Sequence, residues 1–370
     1  MNSVVLDAVG LAQLVSRLSG LGYRVIGPTL RDNAIVLAEL SSAGDLPAGW
    51  GVDVSPGHYR LRRRNDDALF GHSAGPQSWK QFLHPPRQLL WSSDEATEAE
   101  ETPRYAFIGV RACDLSAIAR LNTVLGGAAH PDGAFVGRLR RAFVVAVNCT
   151  EPGALCFCAS MGTGPQVGPG YDLALTERID ESGRSYIVDV GSDEGADVLA
   201  PLPHREADPG EIDSARSDVA EAANHMGRQM PATDHRELLI QSRESPRRGE
   251  GADRRLGRGS CTMVCPTCFC TSVEDVTDLT GQHAERWMGW ASCFELDFTH
   301  VHEGPVRKSV PSRYRHWLTH KLGTWHDQFG SSGCVGCGRC IAWCPTGIDI
   351  TEEMNVLDLL ARETDSRSDV

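Results

Sequence analysis

The sequence lacks any apolar run long enough to cross a membrane. A transmembrane helix needs about 20 consecutive apolar residues, and the longest run here, residues 142–147, has the length of a buried strand. Residues 1–7 include no basic side chain and place an aspartate in the apolar stretch, which is unlike a secretory signal. We therefore expect no membrane span and a cytoplasmic location.

The sequence also has fewer basic than acidic side chains. The chain has 36 Lys and Arg against 49 Asp and Glu, a formal net charge of -13. A field of this sign repels polyanions, so we expect no nucleic acid and no anionic membrane as partner.

The sequence also shows no set of side chains typical of enzymes that make or break covalent bonds. No Ser-His-Asp set and no pair of carboxylates stands out, so we expect no catalytic residues. The glycine-rich stretch 162–170 does not lead from a strand into a helix, as a dinucleotide fingerprint does. A loop that closes over a metal cluster is the alternative interpretation of this stretch.

The N-terminal part, residues 1–200, alternates short apolar runs with helical patterns and is predicted to form an α/β or α+β domain. Asp114 is expected to cap a helix over residues 115–125. Periodicity predicts a helix over 11–21, and strands over 23–27, 34–38, 105–110, 142–147 and 185–190.

Beyond residue 200 we predict three further segments. Residues 201–254 are a helical and linker region, and the arginines clustered over 245–259 indicate either a solvated loop or a docking patch for an acidic partner. Residues 255–355 are predicted to form a mostly α-helical domain. Residues 356–370 are expected to be a flexible tail.

What the sequence has in abundance is cysteine. Its 13 cysteines are an odd number, which excludes a complete intramolecular disulfide framework. In a reducing compartment, clustered cysteines are more often metal ligands or catalytic groups than disulfides.

The strongest pattern is the run Cys334, Cys337, Cys340, Cys344 and Pro345. Its spacing, C-x2-C-x2-C-x3-C-P, is that of bacterial ferredoxins, in which three thiolates bind one [4Fe-4S] cluster and the fourth binds the other. Glycines at 336 and 338 let backbone amides approach the cluster sulfurs. Zinc is the alternative metal.

A second run is present but incomplete. Cys261, Cys265 and Pro266 match the second half of the pattern, whereas Arg255 and Arg258 stand where two cysteines are expected. Arginine has no lone pair to give to iron. Ferredoxin cross-over predicts one intact [4Fe-4S] site made of Cys265, Cys334, Cys337 and Cys340, and a remnant made of Cys261 and Cys344.

Seven cysteines lie outside these two runs. If the strands that precede Cys113 and Cys149 are neighbours, both thiols lie at one edge of the sheet. With Cys156 and Cys158 they would then hold a further [4Fe-4S] cluster, or all four are buried small apolar residues. The other three are spare ligands for the damaged site, ligands of another cluster or core residues: Cys268, Cys270 and Cys293.

These motifs resemble the cytosolic sulfhydrogenase beta-subunit family, which is related to one of the subunits of anaerobic sulfite reductase. The resemblance rests on the dicluster-type C-terminal third, on Gly-Val-Arg-Ala-Cys-Asp-Leu at 109–115 and on the Asn-Cys-Thr-Glu-Pro segment at 148–158. It implies an electron-transfer subunit with at least one and up to three [4Fe-4S] clusters. The departure at Arg255 and Arg258 puts the second ferredoxin cluster in doubt.

The resemblance also implies partners. Such a subunit relays electrons between a flavin-bearing NAD(P)H module, the FAD-containing diaphorase, and a catalytic subunit, here a [NiFe] hydrogenase. Alternatives are a subunit of an anaerobic sulfite reductase-type complex, an iron–sulfur redox sensor that binds a regulatory target, and a structural scaffold without a relay role.

Overall fold

The computed structural model describes residues 3–94, 103–127, 129–181, 183–245, 247 and 259–368. Arg255 and Arg258, together with most of the arginine-rich segment 245–259, lie outside the described residues.

The described chain contains both strands and helices, in runs of up to four of one kind. The strands are β1 (Val4–Asp7), β2 (Arg24–Arg31), β3 (Ala34–Glu39), β4 (Trp50–Ser55), β5 (His58–Arg63), β6 (Arg87–Ser92), β7 (Tyr105–Arg111), β8 (Phe143–Val147), β9 (Leu173–Asp180), β10 (Gly183–Val190), β11 (Arg205–Glu206), β12 (Thr271–Thr277), β13 (Ala284–Trp290), β14 (His300–Val301) and β15 (Gly304–Pro305). The helices are α1 (Ala8–Gly20), α2 (Lys80–Leu83), α3 (Ala112–Leu121), α4 (Gly133–Arg140), α5 (Asp193–Leu199), α6 (Pro209–Asn224), α7 (His235–Gln241), α8 (Ser260–Met263), α9 (Val310–Thr319), α10 (Trp325–Phe329), α11 (Arg339–Ala342) and α12 (Ile350–Ser368).

An eight-stranded mixed sheet forms the N-terminal half, in the order β11-β1-β10-β9-β8-β7-β2-β3. The neighbours β2 and β7, β7 and β8, and β8 and β9 are parallel, and the other neighbours are antiparallel. The predicted mixed α/β fold is confirmed. The sheet extends to Glu206, because β11 pairs with β1 beyond residue 200.

Helices cover both faces of this sheet, which explains why its central strands are continuously apolar. On β7, Ala106 and Ile108 face the core that contains α1. Phe107 and Val110 face the core that contains α3 and α4. All four side chains are fully buried.

The expectation that Asp114 caps a helix is wrong. Helix α3 begins at Ala112, one residue after β7 ends, and Asp114 lies buried in its first turn. The carboxylate forms an ion pair with the buried Arg339. It is therefore committed to a long-range contact that the local pattern does not show.

The prediction of a mostly α-helical C-terminal domain is not confirmed. Strands β12 and β13 form a hairpin, and β13 also pairs with β6 from the N-terminal half. The β-branched residues Thr271, Val273 and Val276 favour a strand, and the Asp278 side chain accepts backbone hydrogen bonds within the turn. Trp317 and Trp325 are buried in this part of the chain, whereas Trp287 and Trp290 are half-buried on the hairpin.

Helix α12 takes in most of the segment 356–370 that was predicted as a tail. Met354 and Leu357 are buried in the C-terminal core, and this apolar face holds the helix in place. In the described part of the chain, no helix is both long and apolar enough for a membrane span.

Candidate metal centres

None of the 13 cysteines forms a disulfide, and they fall into three adjoining groups with Cys344 apart. The C-terminal site is the predicted ferredoxin set, the N-terminal site is the set at the strand ends, and the hairpin-end group lies beside β12 and β13. Their members are Cys265, Cys334, Cys337 and Cys340; Cys113, Cys149, Cys156 and Cys158; and Cys261, Cys268, Cys270 and Cys293.

Among the described residues, no three His, Cys, Asp or Glu side chains are arranged to hold a single metal ion. This finding concerns mononuclear sites. The four ligands of a cubane bind four different iron atoms, so they stand farther apart than the ligands of one ion.

The C-terminal site is built on a loop that leads into α11. Gly336 and Gly338 adopt left-handed backbone conformations, with φ of 66° and 74°, on either side of Cys337. Cys340 follows in the first turn of α11, and Cys265 comes from the segment after α8. Residues far apart in sequence are thereby brought to one buried site.

The electrostatics of the C-terminal site fit a cationic iron–sulfur core. Burial raises the pKa of the Cys334 thiol to about 11, and the neighbouring Cys337 and Cys265 add to this. Burial likewise raises the pKa of Cys340 well above its ordinary value, again with support from the other thiols. Packed thiols resist ionisation together, and a bound metal relieves this because only the thiolate is a ligand.

The pKa of Cys265 differs from those of the other cysteines in the C-terminal site. A hydrogen bond from the Cys268 thiol, with the buried Lys321 ammonium and the Thr267 hydroxyl, holds its pKa well below the usual range despite its burial. Lys321 Nζ donates to Thr267 Oγ1 at 3.1 Å and to the Gly333 carbonyl at 3.0 Å. The Cys265 thiol is therefore prepared to act as a thiolate.

The N-terminal site forms at one edge of the large sheet. Because β7 and β8 are parallel neighbours, the residues that follow them, Cys113 and Cys149, come to the same edge. Arg111 is buried and donates from Nη1 to Cys149 Sγ at 3.3 Å. Burial, and next the Cys149 thiol, raise the pKa of Cys156 to about 11 and that of Cys158 higher still.

The glycine-rich stretch 162–170 closes over this region. Thr163 Oγ1 donates to the Val335 carbonyl at 2.8 Å. A Cβ added at Gly164 would lie 3.1 Å from Cys158 Sγ. These contacts support the alternative interpretation of the stretch as a loop beside a cysteine site.

The N-terminal and C-terminal sites adjoin each other. Cys113 and Cys158 pack in one cluster with Val335, and Cys337 lies against that cluster. The Phe157 amide donates to the Gly336 carbonyl at 2.9 Å. The loop that carries Cys158 is thus docked on the loop that carries Cys337.

A buried ion pair fixes this arrangement. Arg339 lies 2.8 Å from the Asp114 carboxylate, with 3% and 4% of the two side chains exposed. The Arg339 Nε also donates to the carbonyls of Gly75 and Gln77. The start of α11 is thereby tied to the start of α3, beside Cys113.

We expect Gly336→Ala to separate the two sites. A Cβ at Gly336 would lie 2.6 Å from the backbone of Cys158, which cannot move as a flexible side chain can. Gly330→Ala is the matched control, because Gly330 has a φ of 69° and open space around its Cβ position. Both variants carry the left-handed penalty of about 1 kcal/mol, so any additional loss of unfolding free energy in Gly336→Ala measures the clash. Equal destabilisation would contradict the docking.

The remnant cysteines lie in different surroundings. Cys261 adds to the pKa of both Cys340 and Cys293, so it lies close to each. The Cys344 thiol is 3.3 Å from Thr346 Oγ1, and the Cys344 carbonyl faces Gly57 between β4 and β5.

Four buried cationic residues near the cysteines were not identified from the sequence: Lys80, Arg111, Lys321 and Arg339. One signal was present. The chain has 33 arginines but only three lysines, at 80, 308 and 321, so a lysine is an uncommon choice in this protein. Two of the three are buried beside cysteines.

Comparison with known proteins agrees with the motifs. Residues 254–348 match the family described as a 4Fe-4S dicluster domain. The chain is 28% identical to sulfhydrogenase 2 subunit beta of Pyrococcus furiosus over 363 residues, which cover 97% of this chain and 98% of that protein. No solved structure matches. The predicted resemblance is confirmed, and so is the prediction of [4Fe-4S] cofactors, because a dicluster domain is one that holds two.

Proposed function

We propose that this chain, a homologue of a sulfhydrogenase beta subunit with a 4Fe-4S dicluster domain, is the iron–sulfur electron-transfer subunit of an oxidoreductase complex. In this proposal the C-terminal site, Cys265, Cys334, Cys337 and Cys340, holds one [4Fe-4S] cluster. The N-terminal site holds another, through Cys113, Cys149, Cys156 and Cys158.

The observation that carries the proposal is the contact between the two sites. Cys337 packs against the cluster that contains Cys113 and Cys158. Electron transfer between centres slows steeply with distance, so a relay needs its centres close together. A pair of unrelated structural sites has no such requirement.

When bound, a [4Fe-4S] cluster supplies one-electron cycling at a potential set by charge, hydrogen bonds and exposure. The chain's own part is to bury the site and to place fixed charges. Lys321 lies beside the C-terminal site, and Arg111 lies beside the N-terminal site. The loops that would enclose the two sites are held together by the Arg339–Asp114 ion pair.

The partners that we propose are a catalytic subunit resembling a [NiFe] hydrogenase and a diaphorase subunit that carries FAD and reacts with NAD(P)H. The homologue is named as a subunit of a sulfhydrogenase, which supports an assembly of this type. Thirteen cysteines with no disulfide among them suit a reducing compartment such as the cytoplasm.

The proposal is tested by anaerobic purification of the complex from cells that produce the tagged chain. We expect nickel, FAD and at least about eight iron atoms per copy of this chain in addition to those of its partners, since each cubane holds four. Sirohaem in place of nickel would assign the chain to a sulfite reductase-type complex. Zinc without iron in the isolated chain would overturn the proposal.

A further inference from the structure

The hairpin-end group lies outside the two proposed ligand sets, although Cys268 and Cys261 adjoin the C-terminal site. We propose that Cys261, Cys268, Cys270 and Cys293 bind the second [4Fe-4S] cluster of the dicluster domain, in place of the ferredoxin positions occupied by Arg255 and Arg258. This inference rests on the proposed function, and it concerns which residues are the ligands.

The hairpin itself brings three of these cysteines together. Cys268 and Cys270 immediately precede β12, and Cys293 follows β13. Since Thr271 pairs with Trp290 in the antiparallel register, the segments that precede β12 and follow β13 lie next to each other at the open end of the hairpin. Cys270 packs against the apolar cluster that contains Cys293, and the Ala291 amide donates to the Cys270 carbonyl at 2.9 Å.

Helix α8 contains Cys261 and places it near the open end of the hairpin. The Thr262 and Ser292 hydroxyls are hydrogen-bonded at 2.7 Å, which fixes α8 against the residues that follow β13. Cys261 and Cys270 pack against the apolar cluster that contains Cys293, as does Cys340 of the C-terminal site. Apolar surroundings of this kind keep water away from a cluster.

Two buried lysines place positive charge beside the hairpin-end cysteines. Lys80 and Lys321 are only 3% and 5% exposed, and a buried charge requires a partner of opposite sign. Lys321 Nζ lies 3.8 Å from Cys268 Sγ. Lys80 Nζ donates to the Cys268 carbonyl at 2.9 Å and lies over the Trp290 ring.

In the part of the chain that the structure describes, neither ammonium forms an ion pair with a carboxylate. Four thiolates around a [4Fe-4S] core carry net negative charge, and such a group supplies the missing counter-charge. The Cys265 thiolate already faces Lys321, but among the described residues neutral thiols at Cys268 and Cys270 would leave Lys80 with the Cys268 carbonyl and the Trp290 ring as its partners. Lys80 therefore favours ligands over simple packing.

Alanine variants of single cysteines in the full chain distinguish the two ligand sets. The protein is reconstituted anaerobically with ferrous iron and sulfide, and iron and the EPR spectrum of the reduced protein are measured. We expect Cys270→Ala and Cys293→Ala each to lose about four iron atoms and one EPR component. Cys344→Ala, the matched control from the ferredoxin register, should keep the wild-type iron content.

The opposite result overturns the inference: loss of iron in Cys344→Ala with wild-type iron in the other two variants. Wild-type iron in all three variants overturns it as well. Failure of the proposed function would look different, because the unsubstituted chain itself would then contain no iron.

A second measurement does not depend on any variant folding. Cys270 and Cys344 are both partly exposed, so an alkylating reagent can reach them. In the iron-loaded protein we expect protection of Cys270 and modification of Cys344. Removal of iron by a chelator should abolish the protection. Equal modification of Cys270 with and without iron would contradict the assignment.

Discussion

Cys337→Ala is expected to lose about four iron atoms per chain and to abolish electron transfer through the subunit. Cys337 lies between the left-handed Gly336 and Gly338, so no neighbouring side chain can take its place as a ligand. It also lies where the C-terminal and N-terminal sites adjoin. Loss of this ligand should therefore remove a cluster at the point where the relay passes from one site to the next.

The measurements are iron content, EPR of the reduced protein and dye reduction by the NAD(P)H-linked complex. Signals of the N-terminal site should persist but shift, because Cys113 and Cys158 pack directly beside the substituted position. Cys344→Ala serves as the control within the same motif. Wild-type iron content or wild-type dye reduction in Cys337→Ala would contradict the assigned site.

The parts of the site that were predictable from the sequence are those encoded by local spacing. The run from Cys334 to Cys344 is complete within eleven residues. The position of Cys113 relative to Cys149 needed one further step, namely that two apolar strands are neighbours. The register of β7 and β8 meets that condition.

The hairpin was not predictable in the same way. Strand β12 is largely exposed and carries charged residues, so its pattern has no apolar face. Its partner β13 gains stability from β6, which lies almost 200 residues earlier in the chain. Such a strand is specified by tertiary pairing, and single-sequence periodicity does not contain that information.

The glycines of the ferredoxin run show a similar limit. Spacing indicates that Gly336 and Gly338 allow the chain to approach a cluster. The structure adds a steric reason, since a Cβ at Gly338 would lie 2.5 Å from the Leu155 carbonyl oxygen. These glycines also make room for the N-terminal loop. Only the three-dimensional contact reveals that second requirement.

Lys321→Met is expected to lower the reduction potential of the cluster at the C-terminal site. Although burial lowers the pKa of Lys321, Coulombic interaction with Cys265, Cys268 and Cys334 outweighs this effect and raises the pKa well above the ordinary value, so the ammonium stays charged. A positive charge stabilises the reduced, more negative cluster. Methionine fills a similar volume without the charge.

The expected shift follows from Coulomb's law. Two unit charges roughly 8 Å apart interact by about 2 kcal/mol at an effective dielectric constant of about 20, which for one electron is on the order of 90 mV. Redox titration followed by EPR on iron-replete protein measures the shift. Lys308→Met is the matched control, because Lys308 is the one lysine exposed to solvent, where water and salt screen its field.

A potential that drops in Lys321→Met, stays constant in Lys308→Met and returns in Lys321→Arg would establish the buried charge as the cause. An unchanged potential in iron-replete Lys321→Met would show that the ammonium does not act on the cluster. The scarcity of lysine in an arginine-rich chain makes the comparison informative. Lysine is a compact point charge, whereas arginine is a planar fork. The fraction of the shift in reduction potential that is absent in Lys321→Arg therefore measures how far the charge, and not the shape of the side chain, sets the potential.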